Sequence, residues 1–524
     1  MDVGMDLVGS GGNGVATAVG AAGPADRARG LWHRLLGAAP VAAVAVLTGL
    51  VFVLVHRSLI DDAYITLDYA RTLAWHGEWG MIPGHPNNTA TTPLYVALLA
   101  AVTRVTGSPV VAVGVVFVAC SAVLVHALRA TARHLGLPPW SGLLGTLLLV
   151  LNPLLLSALG MSVDVFAALL GLLVLATVRR HAALFGVVAG LLALARLDMM
   201  VFVVVLLLGR PGLWRGWWKI VLTTAVVALP WYAWSWYALG SAIPDTLVIK
   251  QLLRGWGTWF FGNGIQLYLG KYPAATVLAL LAPALALPAL AGWAVIRAIR
   301  FRRPGPRRLD VPALLAVGGV AYYAIYVGLG VAPYHWYYAP TVTALTIFLA
   351  MAVGLASTSA ARPPARVGAV TATAAAALLV AAQCGFAGAN GLPWTQAPIM
   401  SNGFTPADYA RMGSALRERV GSAAVGSPDE IGTLAFFCGC EIMDGFSDRG
   451  YLPAALAERE AQVGPVGRFL LELNYRHLDR NLRPVPLVYQ LRRVDGPGQD
   501  PTFTGSSRWA TPNHLDLLPA AATR

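Results

Sequence analysis

Two adjacent carboxylates, Asp61 and Asp62, follow directly on the first long apolar run of the chain. A carboxylate within hydrogen-bond reach of a hydroxyl can take its proton as a new bond forms, and a close like charge raises the pKa of one member of such a pair. Charges beside a membrane are costly to bury and useful where they face a polar reaction centre. The pair is therefore a candidate catalytic base. In the alternative interpretation it only caps a helix, because Asp is favoured at helix N-termini.

The residues around the pair must hold it at the membrane surface. Residues 57–92 form a polar loop, in which the spacing after the pair predicts a short amphipathic helix with Tyr64 and Arg71 on one face. A helix lying on the membrane would keep both carboxylates near the headgroups. We expect Tyr64, Asp68 and His85 of this loop to position the substrate.

Cationic side chains at three later points could bind a phosphate. Lys250 and Arg254 are four residues apart, on one face of a predicted helix, and fixed positive charge suits this task. Arg196 and Asp198 interrupt an apolar run, and His335 lies among aromatic residues. Asp198 is also a candidate for positioning the substrate. The alternatives are contact with anionic headgroups for the first pair, an ion pair at a helix end for the second, and an aromatic belt for His335.

The composition places these groups in a membrane protein. Of the 524 residues, 57% are hydrophobic and 12% are charged, and apolar runs of about twenty residues recur. The net charge of +13 fits loop Lys and Arg side chains that contact anionic membrane lipids. No Lys/Arg-rich block with interleaved aromatic residues indicates a nucleic-acid surface, so we expect no nucleic-acid partner. We predict an α-helical polytopic membrane protein.

About eleven transmembrane helices are predicted from the apolar runs. They lie at about 38–55, 93–106, 109–128, 140–159, 163–178, 181–208, 217–239, 274–299, 311–331, 336–356 and 365–389, with 181–208 counted as one interrupted span. Arg27, Arg29 and Arg34 precede the first, so the N-terminus should be cytoplasmic and the loop that follows extracytoplasmic. Arg129 and Arg133 conflict with this order, because they would fall on the outer side.

The chain divides into four predicted segments. These are a disordered cytoplasmic tail at 1–35, a transmembrane domain at 36–390, a small extracytoplasmic α/β domain at 391–495 and a loose tail at 496–524. In the α/β domain we expect a helix at about 405–420 and strands at about 423–426 and 487–494. Its acids Asp429, Glu430 and Asp444 are expected to be solvated, with carbohydrate binding as the alternative.

Several other classes of protein lack support in the sequence. Cys438-Gly439-Cys440 has no second pair of ligands for a zinc site, so we expect a structural role, with a local disulfide as the alternative outside the cytoplasm. No Walker loop, no GxGxxG after a strand and no HExxH is present, which disfavours an ATPase, a dehydrogenase and a zinc protease. No cofactor is required, and oxygen ligands could bind a divalent cation, although no spacing demands one.

An ordered set of short motifs runs through the chain. Asp-Asp-Ala-Tyr-Ile-Thr at 61–66 is followed by Thr-Pro-Leu at 92–94, Ala-Arg-Leu-Asp at 195–198, Gly-Ser-Ala-Ile-Pro-Asp-Thr at 240–246, Lys250 and Gly-Ser-Pro-Asp-Glu-Ile-Gly at 426–432. This set, over about residues 36–495, resembles the GT-C superfamily of membrane glycosyltransferases, and most closely the actinobacterial terminal, B-type arabinofuranosyltransferases.

The resemblance implies a reaction and a location. A sugar, arabinofuranose, would move from a polyprenyl-phosphate donor to a cell-envelope polysaccharide or glycolipid, at the extracytoplasmic face of the plasma (inner) membrane. Asp61 or Asp62 would act as the base and Lys250 would lie near the donor phosphate.

Two alternatives stay open. After Gly160-Met161 the family usually carries an acid, and this chain has Ser162 there, with Asp164 two residues on. A mannosyl- or other hexosyltransferase on the same scaffold is therefore one alternative. A polytopic transporter or lipid flippase is the other, and it would predict internal symmetry and interrupted helices that meet at mid-membrane. The sequence shows no convincing repeat, and the candidate charges gather at one interface.

Overall fold

The computed structural model describes residues 24–252, 256–299, 307–358 and 363–520. The described chain is mostly helical and ends in a small α/β domain, as predicted. Its helices are α1 Pro24–Val55, α2 Asp61–His76, α3 Pro93–Thr106, α4 Pro109–His134, α5 Trp140–Val150, α6 Pro153–Ser157, α7 Val163–Val178, α8 Ala182–Ala195, α9 Met200–Gly209, α10 Trp217–Ala238, α11 Thr246–Leu252, α12 Gly264–Lys271, α13 Pro273–Ile299, α14 Asp310–Leu329, α15 Ala339–Thr358, α16 Pro363–Ala389, α17 Pro406–Val420, α18 Gly432–Cys438, α19 Leu452–Gln462 and α20 Pro465–Asn474. Its strands are β1 Val425–Gly426, β2 Ile442–Met443, β3 Tyr489–Asp495, β4 Thr504–Gly505 and β5 Asn513–Pro519.

The apolar helices make this a multi-pass membrane protein. Within the described residues, six helices are long and apolar enough to cross a bilayer, or up to seven if the bent pair of α9 and α10 is one span. Four shorter apolar helices, α3, α5, α7 and α8, lie among them. The predicted number of about eleven spans is therefore not confirmed.

The packing of α1 on α4 corrects the predicted path of the first loop. Gly114, near the start of α4, packs against the ring of Phe52 near the end of α1. At the other end of the pair, the Arg129 guanidinium donates to the carbonyl of Gly37 over 3.0 Å. The two helices are therefore antiparallel, so α4 starts on the side of the membrane where α1 ends. Helix α3, which lies between them in the chain, stays on that side together with α2. The segment predicted as a second span is instead a further helix of the loop, which resolves the conflict over Arg129.

The predicted span at 181–208 is two helices. Residues Leu197–Met199 form a short 3₁₀ turn between α8 and α9, and α8 then packs alongside α10 in the same direction. Gly186 contacts the backbone of Ile220, and the Tyr232 hydroxyl donates to the carbonyl of Ala193 over 2.8 Å. An apolar run that is long enough for one span concealed this break, because the polar residues there are few.

Arginines gather at the end of the helices that lies away from α2. Arg308 donates to the carbonyl of Gly136, just past the end of α4, over 3.3 Å. Nearby in sequence, Arg297 at the end of α13 lies 3.4 Å from Asp310 at the start of α14. With Arg129 beside Gly37 in the N-terminal half of α1, these contacts give the helical domain one arginine-rich end and one end that carries α2.

The C-terminal domain holds a five-stranded sheet of order β2-β1-β3-β5-β4. β1 pairs in parallel with β2 and β3, whereas β5 pairs antiparallel with β3 and β4. The helix and the two strands predicted here are present as α17, β1 and β3. Thr405 and Asp408 form a capping box that starts α17.

Both predicted tails need correction. The C-terminal segment at 496–524 is not a loose tail, because β4 and β5 lie within it and β5 pairs with β3 along seven residues. At the N-terminus, residues 1–23 lie outside the described part, but residues 24–35 of the predicted disordered tail belong to α1. Ala, Leu and Arg side chains favour helix in this stretch and make it continuous with the apolar run.

The α8–α10 contact depends on Gly186. A Cβ at this position would fall 2.5 Å from the carbonyl oxygen of Ile220, so the helices would have to separate. We expect Gly186→Ala to destabilise the protein by about 1–3 kcal/mol, measured as a lower thermal midpoint of the purified protein in detergent. The matched control is Gly292→Ala in α13, where no atom lies within 4 Å of the new Cβ. This control should be neutral or gain up to about 1 kcal/mol. Equal midpoints for the two variants would contradict the packing.

Candidate active site

Asp61, the first residue of α2, points toward the C-terminal domain. Its carboxylate accepts hydrogen bonds from the backbone N–H groups of Thr433, over 2.7 Å, and Gly432, over 3.1 Å. The side chain is buried, and Gly432 approaches so closely that a Cβ there would lie 2.2 Å from the carbonyl oxygen of Asp61. Burial raises the pKa of Asp61 to about 7, and the charge of Glu430 adds to the rise. Asp61 therefore joins α2 to α18.

Asp62 points toward a cation instead. Successive helical residues are turned by about 100°, and the Asp62 carboxylate is a quarter exposed, with Oδ1 3.8 Å from Nζ of Lys250. Burial raises the pKa of the Asp62 carboxyl above its usual value, and the Lys250 ammonium partly opposes that rise. The adjacent carboxylates thus lie in different surroundings, and only Asp62 faces a cation.

Lys250 lies against a wall of aromatic rings. Its Nζ is 4.7 Å from the ring centre of Tyr334 and 5.8 Å from those of Trp336 and Tyr337. Burial lowers the pKa of Lys250, but the Tyr337 hydroxyl and the Asp62 carboxylate outweigh this and leave the pKa above its usual value. Aromatic faces attract cations, and more strongly where water is excluded. The ammonium is therefore held charged in a partly dry site.

The short helix α11 that carries Lys250 is fixed from two sides. The N–H of Asp245 donates to the carbonyl of Asn88 in the first loop over 2.8 Å. The Asp245 carboxylate, which is buried, forms an ion pair of 2.8 Å with Arg449 of the C-terminal domain. Val248 packs into a small apolar cluster with Leu452 and other residues of that domain. Lys250 thus depends on contacts far from it in sequence.

Arg196 and Asp198 form the ion pair that was the alternative interpretation, and this pair borders the same aromatic wall. Their side chains are 2.6 Å apart, and the Tyr322 and Tyr326 hydroxyls both donate to Asp198 Oδ2. The Arg196 guanidinium lies 5.5 Å from the ring centre of Tyr337, the ring that also contacts the ammonium described above. Because Asp198 largely neutralises it, Arg196 is a weaker anion-binding group than the lysine.

Three residues predicted to position substrate have other contacts. The Tyr64 ring is buried against Phe436 and Phe437 of α18, at centroid distances of 5.0 and 5.5 Å. Asp68 is fully buried and pairs with Arg71 over 2.6 Å. His85 Nε2 lies 3.8 Å from Glu441 at the domain boundary. Arg71 in turn donates to the carbonyl of Phe436 over 2.9 Å, so Tyr64 and the Asp68–Arg71 pair join α2 to the C-terminal domain.

His335 is not brought to this site, although it adjoins the wall in sequence. It is fully buried, with Nε2 3.4 Å from the carbonyl oxygen of Ser157, and its ring faces Tyr268 edge-on. Among the described residues no ion pair reaches this ring, and its burial keeps it from any phosphate beside Lys250, so we correct its predicted contact with the donor phosphate. Arg254 lies outside the described residues.

The sequence did not identify the aromatic wall as part of the site. The run at 334–338 contains Tyr334, Trp336, Tyr337 and Tyr338, and its signal was the density of aromatic residues at a membrane edge. Composition could not show which side chains of the 3₁₀ turn His335–Tyr338 face Lys250 and which face the protein interior. Three of these side chains face the ammonium and the histidine faces away.

Two expectations about the C-terminal domain are corrected. Glu430 is not solvated, because it accepts from the Tyr409 hydroxyl over 2.6 Å and pairs with Arg493 over 2.9 Å. Asp444 accepts from the N–H of Phe446 over 2.7 Å and is held within its own turn. Asp429, with a side chain 87% exposed, is solvated as expected.

The remaining sequence candidates were the Cys438–Cys440 pair and a metal site. Cys438 and Cys440 form a local disulfide at the end of α18, which was the alternative interpretation. In the part of the chain that the structure describes, no three His, Cys, Asp or Glu side chains are grouped as a metal site would need.

Comparisons with known proteins identify the fold. No family model and no curated protein matches the chain. Its structure is similar to that of ArnT from Cupriavidus metallidurans bound to undecaprenyl phosphate, at 15% identity and a TM-score of 0.55, over 92% of this chain and 98% of that one. It is also similar to the archaeal oligosaccharyltransferase AglB from Archaeoglobus fulgidus in complex with an inhibitory peptide and a dolichol-phosphate, at 11% identity and a TM-score of 0.51, over 86% and 69%. The predicted GT-C fold is thereby confirmed.

The raised pKa of Asp61 makes folding stability depend on pH. In the unfolded chain the carboxyl ionises near 3.8, whereas in the folded chain it keeps its proton up to about 7. The wild type should therefore lose stability relative to Asp61→Asn as the pH rises, by about 2 kcal/mol between pH 5 and 7, and the difference should level off above pH 7. Thermal midpoints of both proteins, measured from pH 5 to 8, check this. Parallel profiles would show that Asp61 ionises normally.

Proposed function

We propose that this chain is a membrane glycosyltransferase that moves arabinofuranose from a polyprenyl-phosphate donor to a cell-envelope polysaccharide or glycolipid. The observation that carries the proposal is the approach of Asp62 Oδ1 to Lys250 Nζ, at 3.8 Å, beside an aromatic wall. A base and a phosphate-binding cation are thus adjacent, at the α2 end of the membrane domain. The GT-C fold adds support, because both structures named above hold a polyprenyl-type phosphate.

The bond changes follow from these two groups. The acceptor hydroxyl transfers its proton to the Asp62 carboxylate while its oxygen forms a bond to the anomeric carbon of the donor sugar. The bond from that carbon to the phosphate oxygen breaks, and its electron pair leaves with the lipid phosphate. Lys250 balances the negative charge that collects there. Phosphate leaves readily, so no covalent intermediate or cofactor is needed.

Substrate binding would separate the resting ion pair. A donor phosphate would replace Asp62 as the partner of Lys250, and the acceptor hydroxyl would become the partner of Asp62. The carboxylate then loses the charge that lowers its pKa and becomes a stronger base at the moment it is needed. Arg196 is already paired with Asp198. It would help to orient the donor phosphate at the aromatic wall, while Lys250 balances most of the negative charge.

The arrangement of charges supports an extracytoplasmic site. Lys and Arg are enriched in cytoplasmic loops of membrane proteins, and Arg129, Arg297 and Arg308 lie at the end of the domain away from α2. Asp62 and Lys250 would then face the outer side of the plasma membrane, where the C-terminal domain would meet the envelope glycan.

The identity of the sugar rests on the sequence resemblance. The ordered motifs from 61 to 432 favour arabinofuranose, and a hexose such as mannose is the alternative. A panel of purified polyprenyl-phosphate sugars, with release of each sugar measured for the same protein, distinguishes them. Preferred turnover of a hexose donor would replace arabinofuranose and leave the assigned roles of the base and the cation in place.

Asp62→Asn should abolish most of the transferase activity and leave the folding stability nearly unchanged. An amide cannot accept the proton, so we expect kcat to fall by about 10²- to 10⁴-fold, measured as sugar release from the polyprenyl-phosphate donor. Asp429→Asn is the matched control, because it makes the same change at an exposed acid of the C-terminal domain. Unchanged turnover in both Asp61→Asn and Asp62→Asn would exclude these residues as the base.

Lys250→Gln should weaken donor binding. The variant stays polar and is only one bond shorter, but it loses the charge-assisted hydrogen bond to phosphate, which contributes about 1.5–3 kcal/mol and hence about 10- to 100-fold in affinity. Direct binding of the lipid donor to purified protein measures the loss. Lys271→Gln serves as the control, since Lys271 instead donates to the carbonyl of Trp509 over 3.1 Å. Wild-type affinity in Lys250→Gln would mean that the phosphate binds elsewhere.

A further inference from the structure

Helix α20 has an apolar face that no other part of the described chain covers. Val466, Phe469, Leu470 and Leu473 recur at the spacing of one helical face, and their exposed fractions are 74%, 61%, 56% and 46%. Scattered exposed apolar residues are ordinary on a protein surface, but a contiguous stripe on one helix face marks an interaction surface.

A different face of α20 attaches the helix to the C-terminal domain. Leu471 packs against the apolar cluster that contains Val248 of α11 and Leu452 of α19. Arg468 and Glu472, which are exposed, lie on the side of the helix away from the stripe. The helix is thus fixed to the protein by one face and presents the stripe outward.

The stripe continues the lipid-facing surface of α10. The indole N–H of Trp236, in the last turn of α10, donates to the carbonyl of Leu473 over 2.9 Å, and the Trp236 ring lies 4.5 Å from that of His477. Tyr237 beside it is 78% exposed, and aromatic residues at a helix end are typical of the membrane interface. Asn474 also exchanges hydrogen bonds with the backbone of Ile243, just beyond α10. These contacts hold the C-terminal end of α20 where α10 leaves the bilayer.

We propose that α20 lies in the interface of the membrane that the chain itself spans, at the α2 end, with its apolar stripe inserted among headgroups and upper acyl chains. An amphipathic helix with a polar side and Leu and Phe on the other has the character of such segments. Between residues 465 and 483 the chain carries four arginines against two acids, a balance that suits anionic headgroups. The inference is independent of the chemistry proposed above.

Nitroxide scanning of the full-length protein in lipid nanodiscs, made from phosphatidylcholine and phosphatidylglycerol, tests the proposal. Cysteines are introduced singly at Phe469→Cys and Val466→Cys in the stripe, and at Arg468→Cys as the matched control on the other side. The background carries Cys120→Ala and Cys384→Ala, which removes the free cysteines of the described chain. Collision rates with oxygen, which partitions into lipid, and with a water-soluble nickel chelate are compared at each label.

We expect the oxygen-to-nickel collision ratio to be several-fold higher at 466 and 469 than at 468. Two stripe positions are used so that a fault in one variant does not decide the result. A high nickel collision rate at all three positions would place the stripe in water and overturn the proposal. Low collision rates with both reagents at 466 and 469 would also overturn it, because they would show that a protein surface, from a partner or a second copy, covers the stripe.

Discussion

The contact between the Asp61 carboxylate and the backbone N–H groups of Gly432 and Thr433 fixes the geometry of the whole site. It turns the first residue of α2 inward and, because neighbours on a helix point in different directions, leaves Asp62 facing outward to Lys250. The cost of burying the first carboxylate is partly offset by two backbone hydrogen bonds. One acid is therefore used for position, and the other is left free for the proton transfer that we propose.

Lys250 is also positioned by contacts with the C-terminal domain. Asp245, buried and paired with Arg449, holds α11 against the C-terminal domain, while the aromatic wall approaches from the start of α15. Charges that are fixed before substrate arrives need little reorganisation during the reaction. Asp62 and Lys250 are carried by the membrane domain and its loops, but both are oriented by residues beyond 430.

Much of this could be predicted from the sequence, for identifiable reasons. Apolar runs gave the helical membrane class, and the motif at 61–66 pointed to the pair of acids. The sequence could not show which acid faces the cation, because Gly432 and Asp61 are 371 residues apart. It also could not show that α3 is not a membrane span. Fourteen mostly apolar residues could form either a short span or a helix of the loop, and only the antiparallel pairing of α1 and α4 decides between them. His335 was misassigned because a 3₁₀ turn points neighbouring side chains in different directions.

The close approach at Gly432 also limits how the protein can vary. A side chain there would meet the backbone of α2 before α18 reached its place, so the two halves fit together only with a bare backbone at this point. The C-terminal domain is thus not an interchangeable module. A hybrid protein that joined this membrane domain to the C-terminal domain of a relative would keep Asp61, Asp62 and Lys250. It would assemble correctly only if the foreign domain carried a glycine at the position of Gly432.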